Sequence, residues 1–254
     1  MKYFLLFAVI FTSCQGIFTE RKHPPVSTEK LDTIRSMPTG SIIKPSILES
    51  AFSSGKTEKV NDHDLLFYGI TIGKLKVPSG RIISCDPMHI DEYGIPFTEN
   101  FPKGEYPVQL SIAKMDNEEK VAFARITFKD APVVTWKLAL LPGQSPLPVD
   151  GEDYHGYSVD AGTAIFIDEE AKKAFDFKAG ENMDADLFKA MNKHYRQSWR
   201  HTMYDFANYN LAAFNTGLGD GTFATYIGYD AAGSPVRLTT DFGLLNWKRP
   251  ANEK

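Results

Sequence analysis

From Leu65 onward, apolar and polar residues alternate in short runs separated by turn residues, a period-2 pattern that predicts strands. "LLFYGITIGKLKVPSGRIISCDP" gives two strands around the Pro78-Ser79-Gly80 turn. "YPVQLSIAK" places Val108, Leu110 and Ile112 on one face and Gln109, Ser111 and Ala113 on the other. The polar loop "MDNEE" then returns the chain into a partner strand, "KVAFARITFK". "VVTWKLALL" sets Val134, Trp136, Leu138 and Leu140 on one face, and "YSVDAGTAIFID" is a further strand interrupted at Gly162. "NLAAFNTG", "GTFATYIGYD" and "SPVRLTTDFG" close the chain as three strands.

Helical spacing is confined to residues 168–205. "DEEAKKAF" opens with Asp168 as an N-cap, and Glu169 and Glu170 in its first turn suit the helix dipole. "MDADLFKAMNKHYRQSWRHTMYDFAN" spaces Leu187, Met191, His194/Tyr195 and Trp199 near the helical period. The expected fold is therefore α+β: a mostly antiparallel, sandwich- or barrel-like sheet with one or two helices between about 168 and 205. It forms a single domain over residues 45–246, and residues 247–254 are a C-terminal tail.

The first sixteen residues, "MKYFLLFAVIFTSCQG", follow another logic. Lys2 is a minimal positive region, and Tyr3 to Phe11 form an apolar run shorter than the ~20 residues a spanning helix needs. Two small residues, Thr12 and Ser13, precede Cys14. This reads as a signal peptide over 1–13, and "FTSC" resembles the lipobox of bacterial lipoproteins, with Phe11 where Leu is usual. Lipid attached to Cys14 is the expected membrane anchor. Residues 14–44 then form a flexible tether, since "TERKHPPVSTEK" is charged, contains Pro and lacks an apolar period. "SIIKPSILESAF" is more apolar and is expected to dock on the domain. The only other cysteine is Cys85, which leaves no intrachain disulfide once Cys14 is acylated.

Charge narrows the function classes. The 28 Lys and Arg against 32 Asp and Glu give a net charge of −4 without a strong basic patch, so nucleic acid is not an expected partner. The segments "VPSGRIISCDP", "KGEYPVQLSIA", "VAFARITF", "TWKLAL", "GYSVDAGTAIFID" and "FNTGLGDGTFATYIGYDAAGSPVRLTTDFG" occur in an order and spacing that resemble the bacterial DUF4241 family, a domain of unknown function. The resemblance covers about residues 65–243. It implies one domain and a bacterial source, and it carries no catalytic residues.

Candidate chemistry is sparse. "LGDGTFATYIGYDAAGSPV" contains the glycine-lined bend Gly219-Asp220-Gly221, but it leads into a strand, whereas a phosphate loop leads into a helix. Asp230 and Gly233 fit the start and the positive-φ position of a hairpin turn. "VDAGTA" resembles the Asp-x-Gly-Thr turns of actin-like ATPases and, with Asp220 as a second turn, of aspartic proteases. It reads first as a bulge in which Asp160 satisfies local N–H groups and Gly162 bends the strand. Asp160 and Asp168 share strand parity, and Asp86 and Asp241 sit at strand ends. A binding site is therefore sought among Asp86, Asp160, Asp168 and Asp220, with Asp160 and Asp220 the catalytic candidates.

Cys85 and His89 are four apart, but Pro87 prevents a helix from presenting them together. His194 and His201, placed on one helix, would stand about 10 Å apart along its axis, too far for one zinc ion. Trp136, Trp199 and Trp247 suit packing. No cofactor or metal site is expected. These readings favour a membrane-anchored, cell-envelope lipoprotein whose domain binds or supports and does not catalyse, facing the periplasm or the exterior. The alternatives are a carboxylate-dependent, possibly metal-assisted hydrolase, or an immunity or interaction module that captures a protein through a sheet edge.

Overall fold

Two antiparallel sheets, one large and one small, face each other across a shared apolar core. The computed structural model describes residues 46–248 except 61, 62 and 152. They lie within one compact unit of the chain, residues 41–254. The signal peptide, Cys14 and the expected tether lie outside the described residues.

The strands are β1 (Lys56–Val60), β2 (His63–Val77), β3 (Ile82–Cys85), β4 (Gly104–Met115), β5 (Glu118–Thr127), β6 (Thr135–Leu138), β7 (Gly156–Val159), β8 (Thr163–Asp168), β9 (His201–Phe206), β10 (Tyr209–Asn215), β11 (Gly221–Tyr229) and β12 (Pro235–Asp241). Among the described residues four short α-helices accompany them: α1 (Ile47–Ser50), α2 (Ile90–Tyr93), α3 (Glu169–Ala174) and α4 (Asp186–Asn192). The large sheet runs β1-β2-β4-β5-β12-β11-β6, with β7 also paired to β11, and the small sheet runs β3-β8-β10-β9. The expected mostly antiparallel α+β architecture is what the chain adopts.

Side-chain alternation divides the core into layers. Val108, Leu110 and Ile112 of β4 point between the sheets and meet Phe166 of β8 and Phe214 of β10 in one cluster. The Phe166 and Phe214 rings lie edge to face with centroids 5.0 Å apart, a favoured aromatic geometry. The outer face of the large sheet is covered by Ile47, Leu48, Ala51 and Phe52, so the "SILESAF" segment docks as its apolar content predicts. Trp136 and Leu138 share that layer. Trp247, which the sequence assigns to the tail, packs its ring edge-on to Tyr226 and donates to Asp241 Oδ2 at 2.6 Å. The outer face of the small sheet is covered by α2, α3 and α4 through Ile90, Ala171, Leu187, Phe188 and Met191.

One sequence expectation needs correction. The helix read through residues 183–208 ends at Asn192, and β9 begins at His201. Leu187 and Met191 do follow the helical period, but Trp199, His201 and Met203 follow period 2, and their burial against the inter-sheet core sets the strand. The two strands expected around Pro78-Ser79-Gly80 form, with β2 in the large sheet and β3 in the small one.

Candidate functional site

The interruptions that looked like turns within strands are places where the chain passes from one sheet to the other. Three such passages are short: residues 78–81 carry it from β2 to β3, residues 160–162 from β7 to β8, and residues 216–220 from β10 to β11, while the longer segment 86–103, which holds α2, returns it from β3 to β4. Backbone groups at such passages have no ladder partner and must be satisfied by side chains.

Asp168 serves the first passage. Its Oδ2 accepts from Ser79 N at 3.1 Å and Ser79 Oγ at 2.8 Å, while Oδ1 accepts from Glu170 N at 2.9 Å as the N-cap of α3. Asp86 and Asp220 serve the second. Asp86 Oδ2 accepts from Asp160 N at 2.9 Å and Ala161 N at 3.0 Å, and its Oδ1 accepts from Met88 N at 2.8 Å. Asp220 Oδ1 accepts from Gly162 N at 2.9 Å. Three successive N–H groups of the "DAG" turn are thus capped by two carboxylates from distant segments.

The turn-capping role read onto Asp160 therefore belongs to Asp86. Asp160 is mostly exposed, and its Oδ2 lies 3.6 Å from His89 Nε2. Gly162 does bend the chain, with φ +56. The third passage packs directly on it. Thr216 N donates to Gly162 O at 3.2 Å, Asn215 Nδ2 donates to the same oxygen at 2.8 Å, and a Cβ on Gly162 would stand 3.6 Å from Gly219 Cα. The glycine-lined bend thus lies beside another glycine turn. Asp86, Asp160 and Asp220 gather at this junction, whereas Asp168 lies at the far end of β8, so the shared parity of Asp160 and Asp168 does not bring them together. Asp241 is separate again, accepting from Gly243 N at 2.8 Å as well as from Trp247. The Asp230-Gly233 hairpin turn forms as expected: Asp230 Oδ1 accepts from Ala232 N and Ser234 N, and Gly233 has φ +76.

Cys85 is a buried free thiol at the end of β3. Burial, reinforced by the Asp86 charge, pushes its pKa well up, so it stays protonated. His89 faces Asp160 instead.

The histidine geometry also needs correction. His201 lies on β9, and its ring stacks on His194 at 5.1 Å and 20° and on Trp199 at 5.6 Å and 26°. Near-parallel rings aim their in-plane lone pairs alongside one another instead of at a common point, so the pair does not form a chelate. Burial, with His194 and Arg196 nearby, lowers the His201 pKa to about 4. Among the described residues, no group of three or more His, Cys, Asp or Glu side chains could hold a metal ion.

A recess of about 250 Å³, including its open mouth, lies where β6 and β7 meet end to end along β11. Ser84, Phe97, Leu141, His155, Tyr157 and Phe223 line it. Burial raises the Tyr157 phenol pKa. The Ser84 and Thr240 hydroxyls oppose that shift, although no described group gives the Tyr157 hydroxyl a hydrogen bond.

Sequence reasoning missed a buried pair of arginines, Arg125 on β5 and Arg237 on β12, under Glu49 of α1. The available signal was a charged residue inside each of two otherwise apolar strands, "VAFARITF" and "PVRLTT".

No curated protein and no solved structure matches the chain. The model of a family described as a protein of unknown function, DUF4241, matches residues 75–240. That span takes in β3 to β11, the last three residues of β2, most of β12, and the passages between the sheets with their capping carboxylates. On this match, the chain belongs to the DUF4241 family.

Proposed function

We propose that this DUF4241 protein is a bacterial cell-envelope lipoprotein, anchored through lipid on Cys14 and presenting a non-enzymatic binding or structural domain to the periplasm or the exterior. The anchor rests on the apolar run Tyr3–Phe11, the small residues Thr12 and Ser13, and the cysteine directly after them.

One observation carries the non-enzymatic half. Asp86, Asp168 and Asp220, three of the four carboxylates that could form an acidic site, accept hydrogen bonds from backbone N–H groups. A carboxylate held this way is committed to holding a turn, which suits neither a general acid nor a shared-proton pair. Asp160 retains a free carboxylate, with His89 as its neighbour.

Fractionation of cells fed labelled palmitate tests the anchor. The wild-type chain is expected in the membrane fraction and labelled, whereas Cys14→Ser is expected unlabelled and released. Membrane retention of Cys14→Ser at the wild-type level overturns the reading.

A further inference from the structure

We propose that Arg125 and Arg237 form a binding site for a phosphate-type oxyanion, and that Glu49 fills this site in the described state as an internal stand-in for the ligand.

The two arginines lie on neighbouring strands of the large sheet, on the face that carries Phe123. Each is largely buried, with side-chain exposure of 12% for Arg125 and 8% for Arg237. Arginine does not escape burial by losing its proton, so two buried guanidiniums need anionic partners. A single carboxylate oxygen serves both: Glu49 Oε1 lies 3.4 Å from Arg125 Nη1 and 3.2 Å from Arg237 Nε. That leaves two positive charges against one negative at the site.

The donors are also underused. Arg237 Nη1 donates to the carbonyls of Lys129 and Val236, but Nε–H has no hydrogen-bond partner among the described residues, because Glu49 Oε1 sits off its axis. Thr239 pairs directly with Arg125 across the two strands and is fully buried, and its hydroxyl is likewise unpartnered. Leaving such groups unmade is costly, and a native structure rarely does so without a reason. Arg125 is otherwise held in place, with its guanidinium 3.9 Å over the Phe52 ring and its Nε donating to Gln109 Oε1 at 2.8 Å. Burial and the neighbouring Arg237 lower its pKa to about 10, against the pull of Glu49.

A tetrahedral oxyanion has the charge and the several acceptor oxygens that one carboxylate lacks, and guanidinium pairs bind it through directed N–H bonds. Glu49 is the exchangeable component. It is 37% exposed and stands on a one-turn helix over the outer face of the large sheet. An incoming anion would displace its side chain toward solvent and take the same two cations.

The test uses the full chain and measures melting temperature and phosphorus-31 line width against inorganic phosphate, with chloride at matched ionic strength as the reference. Glu49→Gln, which keeps shape and loses charge, is expected to show saturable phosphate binding. Its midpoint should rise by roughly 3–5 °C at tenfold excess over Kd. Glu49→Asp should show a smaller rise, the wild-type chain the smallest, and adding Arg237→Gln to Glu49→Gln should abolish it. If Glu49→Gln fails to melt cooperatively in chloride, recovery of a cooperative melt by phosphate supports the site. A second arm replaces free phosphate with phosphatidylglycerol vesicles and reads cosedimentation of Glu49→Gln. A response to vesicles alone identifies a lipid headgroup as the source, and a response to free phosphate identifies a soluble one. The proposal is overturned if Glu49→Gln responds to neither, or if it responds to phosphate no more than to chloride.

Discussion

At the scale of single residues, the side chain with the clearest solution signature is His201. Its folded-state pKa is lowered to about 4 from 6.5, first by burial and then by His194 and Arg196. A lowered histidine pKa means that the unfolded chain takes up the proton first. The stability contributed by neutral His201 is therefore present above pH 6.5 and is lost as pH falls toward 4. Discounted for solvent screening on the exposed His194 side, the loss is ~2 kcal/mol. Asp241 acts in the opposite sense: burial raises its pKa, so protonation favours the folded state. Comparing variants therefore isolates the histidine. His201→Phe, which keeps a ring between Trp199 and His194, is expected to flatten the fall in melting temperature between pH 6.5 and 4. An unchanged acid slope would place its origin elsewhere. The sequence could not show this environment, because a helical reading set the two histidines a turn and more apart, whereas the fold stacks them.

At the scale of elements, the passages between sheets are held by backbone conformation as much as by contacts. Gly219 has φ +121, and nothing stands within 4 Å of where its Cβ would be, so a side chain there meets strain and not a clash. Gly219→Val is expected to cost ~1–3 kcal/mol in urea unfolding, because a β-branched residue strongly resists that conformation. Its neighbour Leu218 is 81% exposed, and Leu218→Ser should fall within ~0.5 kcal/mol of wild type. Equal, small effects of both would remove the argument from φ. Strands were legible in the sequence wherever one face is buried, as in β6, because alternation encodes a single buried face. Strand neighbours were not legible. Nothing local in "KVPSGRI" distinguishes a hairpin from a change of sheet, since the acceptor that holds this turn is Asp168, 89 residues away from Ser79. Glu49 and Arg125 are 76 residues apart, so their pairing was equally hidden.

For the molecule as a whole, four passages among the described residues stitch the sheets into one cooperative body. The inter-sheet core takes residues from both, so neither sheet can unfold without exposing the other's apolar face. In urea, far-ultraviolet circular dichroism and tryptophan fluorescence should give the same midpoint, because Trp199 reports the inter-sheet core while Trp136 reports the outer layer. Separate midpoints would mean that the sheets unfold independently. The acidic residues named from sequence proved informative about this stitching: Asp86, Asp168 and Asp220 mark where the chain changes sheet, because a chain leaving its ladder needs acceptors for its amides. The way β11 is flanked carries a practical consequence. Its free edge is shared by the end of β6 and the start of β7, so the connection from Ala139 to His155 leaves and returns to the same strand. A protease nick or an engineered break near Gly143 would produce two pieces that still meet along β5–β12, β6–β11 and β3–β8. The chain is thus already laid out as a split protein whose halves carry the pairing information to reassemble without a covalent link.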